Sequence, residues 1–417
     1  MTELSKNTNK IQYSFVKHLA CAEGPLQLIL NDVDRWPGNL NPRLLSTNEH
    51  ETVVAFRDNS RARIRTTRIA GGVNRLAIDH EASPETSTGV DYEIFWFELF
   101  ESLQARLLPE QIAVATAPGK VNLFFRVGPK KEDGYHDVAS LYLAVALTET
   151  VVGQISTEYS VKVSGSLDDF ALLAVPTDET NLVVKVAKRV KALSAGPDAL
   201  KLQLGIDKHA PVAGGMGGGS ADAAAALLVA NALFRAELSQ EQLGEIAAEL
   251  GADVPFALVG GAAIGTGKGD RLTPIENVKP IHLVIIGDQS GLSTPSVYQR
   301  LDDIRASRGE APEEVPVPEI NQALVAALQS GNVYDIAELL HNDLEEAALS
   351  LRPDLETRMI AARQLGALKV MVSGSGPTTL AFCGSENGAK EIAEKLIKLG
   401  YDAKAVTGPA IGAELIE

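Results

Sequence analysis

Residues 211–222 read PVAGGMGGGSAD, with Gly214, Gly215, Gly217, Gly218 and Gly219 filling five of six consecutive positions. A glycine run that opens directly into a helix leaves backbone N–H groups free to converge on one point. The helix N-terminus adds the positive end of its dipole, which makes a ready anion site. Glycine is needed because a side chain would hold a phosphate away from the backbone. The bland reading of such a run is a flexible linker. Its flanks argue against that: Lys201–Ile206 alternates as a strand before it, and Ser220–Phe234 is Ala-rich and helix-prone after it. Ser220 is placed to cap that helix. Two familiar glycine motifs fail here. The dinucleotide fingerprint is broken by Ser220 after Gly219, and a P-loop around Gly267-Lys268 has Ala262 in place of its first glycine and Gly269 in place of its hydroxyl.

Outward from this stretch, strands and helices mix. Val121, Leu123, Phe125 and Val127 alternate with Asn122, Phe124 and Arg126, the period of a half-buried strand. Asp133-Gly134 follows as a hairpin signal, and 138–147 (VASLYLAVAL) reads as a strand and then a turn. Leu182, Val183, Val186, Ala187 and Val190 have helical spacing. Ser239 to Gln242 fits a capping box before a helix that ends at Gly251. Strands are expected at 281–287, 368–374 and 378–383, and helices at 318–330, 332–350, 353–365 and 387–399. This order suggests an α+β fold with helices on one face of a sheet.

The whole chain of 417 residues is long enough for two or three domains. Its net charge of −16 argues against a general nucleic-acid or anionic-membrane binder, though not against a small phosphorylated ligand. Two cysteines, Cys21 and Cys383, are too few for a disulfide framework or a four-cysteine zinc site. No 18-residue apolar run and no signal-like start are seen, so a cytoplasmic protein is expected.

The glycine stretch resembles the phosphate-binding motif of the GHMP kinases. Pro118-Gly119-Lys120-Val121-Asn122 and Ser373-Gly374-Ser375-Gly376-Pro377 resemble the superfamily's other two motifs. Lys120-Val121-Asn122-Leu123-Phe124, Asp133-Gly134-Tyr135-His136 and Leu250 to Phe256 (LGADVPF) are similar to the kinases of 4-diphosphocytidyl-2-C-methyl-D-erythritol in particular. Gly119 and Met216 stand where many members have alanine and leucine. The resemblance runs from about Ile112 to the end. It implies a two-domain fold, a ribosomal S5 domain 2-like part that binds ATP (112–277) and a ferredoxin-like part (278–417). It also implies transfer of the ATP γ-phosphate to the substrate's 2-hydroxyl.

The resemblance assigns residues as well. Pro211, Ala213, Gly214, Gly215, Met216, Gly217, Gly218, Gly219 and Ser220 would hold ATP, with Ser220 also near its Mg²⁺. Lys120 and Asp253 would be the catalytic pair, a cation for developing charge and an acidic group near the hydroxyl. Taken alone, Asp253 two residues before Pro255 reads as a helix cap and Lys120 as a solvated charge. Tyr135 and His136 would hold the cytosine, with Tyr298 as second aromatic or merely a half-buried helix tyrosine. Asn122 would bond substrate hydroxyls, and Gly374, Ser375 and Gly376 would approach the ligand. The rivals are a homoserine- or mevalonate-type kinase, which would not need Asp-Gly-Tyr-His, and a non-catalytic binding protein, which would not need Lys120 and Asp253. Only small-molecule partners are expected of this region, with no membrane and no nucleic acid.

Residues 1–111 match no family signature and are expected to be dispensable for the reaction. They hold both tryptophans, an apolar helix-like stretch at 94–108, and Arg57, Arg61, Arg63, Arg65 and Arg68 within twelve positions. The arginines read as a solvated face or, less simply, as an RNA or phosphate site. A start assigned too far upstream is the third reading of this segment.

Overall fold

The computed structural model describes residues 11–20, 30, 33, 36, 42–48, 50–69, 73–82, 92–106, 112–156, 158–194, 200–212, 214–288 and 291–416. Ala213 and positions 107–111 therefore lie outside the described residues.

The first unit is an antiparallel sheet with a helix. Its strands are β1 (Ile11–Ala20), β2 (Arg43–Thr47), β3 (Glu51–Ala55), β4 (Arg61–Ile69) and β5 (Val73–Ala82), in the order β1-β5-β4-β3-β2, followed by α1 (Tyr92–Arg106). In β4, Ala62, Ile64 and Thr66 are buried while Arg61, Arg63 and Arg65 point out, so one face meets the core. The exposed arginines face acids on the flanking strands: Arg63 and Arg65 lie 3.4 and 3.5 Å from Glu51, and Arg65 lies 3.0 Å from Asp79. Two of the five arginines are thus answered by carboxylates of their own sheet. On the core side, α1 buries Tyr92, Phe95, Trp96, Leu99 and Phe100.

His80 is central to that core. Trp96 Nε1–H donates to its Nδ1 at 3.1 Å, so the ring hydrogen sits on Nε2 and is donated to Ser60 Oγ at 2.9 Å. Burial pushes His80 down to about 4. Its folded pKa is thus depressed below the ordinary 6.5, and its contribution to stability is lost as pH falls from 6.5 toward 4. The loss should reach roughly 3 kcal/mol. Because Trp36 and Trp96 are the chain's two tryptophans, fluorescence reads this unit alone. A tryptophan signal that stays flat from pH 6.5 to 4 in mild denaturant would contradict the assignment.

The second unit is built on two long strands, β6 (Ile112–Lys130) and β7 (His136–Ser156). The hairpin between them turns at Asp133-Gly134 as expected, but β7 runs on past 147 without a turn, correcting the sequence reading. Its continuation has partners to pair with, since Thr150–Ser156 bonds β9 on one side and β6 on the other. There follow β8 (Ser160–Gly165), α2 (Asp169–Leu173), α3 (Leu182–Lys191), β9 (Lys201–Lys208), α4 (Gly218–Phe234), α5 (Gln240–Leu250), α6 (Val254–Val259), β10 (Ala262–Thr266) and β11 (Arg271–Pro274). The capping box forms between Ser239 and Gln242. Ser220 does not cap α4, however. The N-cap is Gly217, left-handed at φ 68°, and the helix starts three residues earlier than expected. That leaves the N–H groups of the first turn without a side-chain cap and free for an external anion.

The last third supplies β12 (Ile281–Ile286), α7 (Thr294–Ser307), α8 (Gln322–Ser330), α9 (Val333–Leu339), β13 (His341–Asn342), α10 (Glu345–Leu351), α11 (Asp354–Gln364), β14 (Lys369–Val372), β15 (Thr379–Cys383), α12 (Glu386–Lys398), β16 (Ala403–Gly408) and β17 (Glu414–Ile416). The expected single helix at 332–350 is broken into α9 and α10. Between them β13 pairs with β6, and Asn342 Nδ2 donates to the carbonyls of Val372 and Gly374 at 2.8 Å each. Those long-range bonds outweigh local helix propensity. The sheet order is β14-β15-β12-β16, all antiparallel. Alternate residues of β12 serve two cores: Val284 and Ile286 meet α7, α10, α11 and α12, while Ile281, Leu283 and Ile285 meet Val121, Leu123, Leu141 and Leu143 of the second unit. The α+β organisation is that expected. No helix among the described residues is long and apolar enough to cross a membrane.

Candidate active site

Three separate stretches meet at one place. Irregular pairing at Pro118/Gly119 and Asn122/Phe124 breaks the β6 register on both sides of Lys120 and re-aims its side chains. Lys120 N–H donates to Met216 O at 2.9 Å, tying the strand to the glycine loop. Asn122 N–H donates to Ser373 Oγ at 3.0 Å, tying it to the loop between β14 and β15. Close approach explains two of the glycines. A Cβ on Gly217 would come 3.3 Å from Lys120 Cγ at a left-handed φ of 68°, and one on Gly374 would come 2.9 Å from Asn122 Oδ1 at φ 56°. Ser375 Oγ lies 2.9 Å from Thr294 Oγ1, fixing the loop to the start of α7, and Gly376 O faces Gly215.

Lys120 Nζ is 3.7 Å from Asp253 Oδ2 and donates to Asn122 Oδ1 at 3.0 Å. It also stands 5.2 Å from the centroid of the Tyr142 ring. Asp253 occupies the N-cap position of α6, yet its side chain makes no cap bond. The bland reading of a capping aspartate is therefore not realised, and the carboxylate is free to face Lys120. Asn122 is fully buried, and its Nδ2 donates to Ser140 Oγ at 2.7 Å. Each end of its amide thus makes one bond, to Lys120 and to Ser140, and keeps a second lone pair and a second N–H.

Beside the glycine loop lies a cavity of about 360 Å³. Ala174–Pro176 and Thr180–Leu182 wall it opposite Gly214–Gly219, with Lys208 and Asp222 also lining it. Lys208 Nζ bonds Asp222 Oδ2 at 2.8 Å and Glu149 Oε1 at 3.1 Å. Glu149 in turn accepts from the N–H groups of His209 and Ala210 at 3.0 Å each, so both its oxygens are held. Asp222 Oδ1, by contrast, is buried without a partner. Burial pushes the Asp222 carboxyl up, to about 7, against the pull of Lys208. Among the described residues no group of three or more His, Cys, Asp or Glu could hold a metal ion.

The other end of the site is aromatic. Tyr135 is exposed, with Lys268 Nζ 3.8 Å from its ring centroid. Lys268 also bonds Asp133 Oδ2 at 3.1 Å, which steadies the turn. The His136 and Tyr298 rings lie 5.2 Å apart at 35°. Tyr298 is half-buried, and burial raises its phenol above the ordinary value. Burial, then the Asp253 carboxylate, raise the Tyr142 phenol above its ordinary value. His136 Nε2 lies 2.9 Å from Asp302 Oδ1, and Lys130 Nζ 2.9 Å from Asp302 Oδ2.

Sequence reasoning missed Tyr142, Glu149, Lys208, Asp222, Lys130 and Asp302. One signal was available: Asp302 follows Tyr298 by four positions in one helix, which puts both on one face. Glu149 and Lys208 sit on strands far apart in sequence, and no spacing announces that they meet.

The family profiles for the GHMP kinases N terminal domain and the GHMP kinases C terminal region match residues 181–261 and 324–402. The chain is 44% identical over 304 residues to a 4-diphosphocytidyl-2-C-methyl-D-erythritol kinase of Paenarthrobacter aurescens, covering 72% of this chain and 94% of that protein. It is 43% identical over 301 residues to the protein of the same name from Leifsonia xyli, covering 72% and 97%. Among solved structures, a 4-(cytidine 5'-diphospho)-2C-methyl-D-erythritol kinase superposes with a TM-score of 0.57 at 30% identity, over 70% of this chain and 98% of that one. A homoserine kinase from Cytophaga hutchinsonii superposes at 0.54 with 18% identity over 74% and 98%, a likeness of fold alone.

Proposed function

From the premise that the chain belongs to the 4-diphosphocytidyl-2-C-methyl-D-erythritol kinases of the GHMP superfamily, we propose how its residues carry out the transfer. The chain is an ATP-dependent kinase acting on that cytidine diphosphate-linked substrate in the non-mevalonate route to isoprenoids. The observation that carries the site assignment is the Lys120–Asp253 pair, 3.7 Å apart beside the glycine loop.

The triphosphate lies along Gly214–Gly219, where the first-turn N–H groups of α4 meet its charge. The adenosine occupies the 360 Å³ cavity beside them. The cytosine lies between Tyr135 and Tyr298, against His136, which brings the 2-hydroxyl to Asp253. The hydroxyl oxygen then bonds the γ-phosphorus as the bond to the β–γ bridging oxygen breaks, and ADP departs. Asp253 takes the hydroxyl proton, while Lys120 offsets charge on the transferring group. Ser220 would be the hydroxyl to share Mg²⁺ with the ATP phosphates, and the ion would supply positive charge against them. Residues 112–277 supply the ATP side and 278–417 the facing loop with Tyr298. The same reading puts the enzyme in the cytoplasm, with its ATP.

The test is ATP consumption across cytidylylated and plain polyols, with homoserine and mevalonate in the panel. The cytidylylated methylerythritol should give the highest kcat/KM. A higher value for uncapped 2-C-methylerythritol 4-phosphate, homoserine or mevalonate would overturn the substrate assignment.

A further inference from the structure

We propose that Asp302 is a positioning residue that selects the pyrimidine, by holding His136 in the tautomer whose Nδ1 is a bare acceptor. This rests on the reading above that His136 meets the base. Asp302 is buried and its carboxylate can only accept. Its Oδ1 lies 2.9 Å from His136 Nε2 and its Oδ2 lies 2.9 Å from Lys130 Nζ. The ring nitrogen facing Asp302 therefore carries the hydrogen. A neutral imidazole has one N–H, so Nδ1 is left with a lone pair. That atom makes no hydrogen bond among the described residues, yet it is not sealed from solvent. The ring as a whole is nearly buried, so a ligand can reach an edge atom and not the face.

Lys130 gives Asp302 a second, cationic partner. A buried carboxylate alone beside an imidazole would draw a second proton onto the ring and turn both nitrogens into donors. Here the Lys130 ammonium, kept protonated by its hydrogen bond to Asp302, already supplies the positive charge. Tyr298, packed on the imidazole from α7, is a neutral phenol and adds none. A lone pair at Nδ1 accepts an N–H from the exocyclic amino group of cytosine. It opposes the carbonyl oxygen that uracil carries at the same position. Opposed or unpaired polar contacts of this kind change affinity about ten- to hundredfold.

The experiment compares the full chain with its Asp302→Asn variant on cytidine- and uridine-diphosphate-linked methylerythritol. Wild type should favour the cytidine form in kcat/KM by about tenfold or more. An asparagine can turn its own N–H toward Nε2 and move the ring hydrogen to Nδ1. The variant should therefore lower the cytidine-to-uridine ratio by about tenfold, with KM for ATP unchanged. A folded variant with the wild-type ratio overturns the proposal, as does a wild type that uses both substrates equally. If the variant does not fold, ¹⁵N spectra of wild-type His136, assigned with His136→Asn, decide instead: a hydrogen on Nε2 alone supports it and one on Nδ1 refutes it. A wild type that phosphorylates neither substrate refutes the kinase assignment itself, and this inference with it.

Discussion

Asp253→Asn and Lys120→Ala should each lower kcat by about 10²–10³-fold, the usual loss when a preorganised charge at the reacting group is removed. The two should differ in what else they change. Asp253 is partly exposed and caps nothing, so its amide variant should stay within about 0.5 kcal/mol of wild-type stability. Lys120→Ala also frees Asn122 Oδ1 and uncovers the Tyr142 ring, and a modest further loss of stability is expected. Neither residue lines the nucleotide cavity, so ATP should bind both variants as it binds wild type. Single-turnover rates with ATP titrated by calorimetry would separate the effects. Near-normal kcat in a folded Asp253→Asn protein would remove that residue from the chemistry.

Lys208→Met should cost about 3–5 kcal/mol, because it strips the cation from two buried carboxylates. The cost should fall unevenly. Glu149 keeps its two backbone N–H donors, whereas Asp222 loses its one partner and already has an orphaned Oδ1. Burial already raises the Asp222 pKa and loss of Lys208 raises it further, so Asp222 escapes part of the penalty by taking a proton. A carboxyl whose folded pKa is raised is least costly below that value and most costly above it. The loss in urea unfolding should therefore be larger at pH 8 than at pH 6, and adding Asp222→Asn should recover much of it at pH 8. A Lys208→Met protein within 1 kcal/mol of wild type at pH 8 would mean that the triad does not hold the loop.

The motifs were legible because each needs local features that show in the chain. A glycine run between a strand and a helix reports close backbone approach, and a Cβ on Gly217 would come 3.3 Å from Lys120 Cγ. Alternation in β4 separates Ile64 from Arg63 and Arg65 without any knowledge of their neighbours. What could not be read depends on partners distant in sequence. The break at 340–344 follows from Asn342 bonding the Gly374 loop, and nothing within 332–350 announces it. The N-cap of α4 was misplaced because serine is the common cap, whereas the left-handed Gly217 does the work with backbone alone. Nor does the motif position of Asn122 announce its bonds to Lys120 and Ser140.

The strand that carries Lys120 also constrains the order in which the protein can be assembled. Val114–Thr116 of β6 pair with Glu414–Ile416, and Phe124 and Phe125 with His341 and Asn342. During synthesis the edge of β6 therefore waits for residues made some 220 to 300 positions later, the last of them still inside the ribosome when most of the chain has emerged. Contacts of such long sequence separation form late and slowly. The glycine loop and the β6–β7 hairpin can form early, but the frame around Lys120 is closed only once those late segments have emerged.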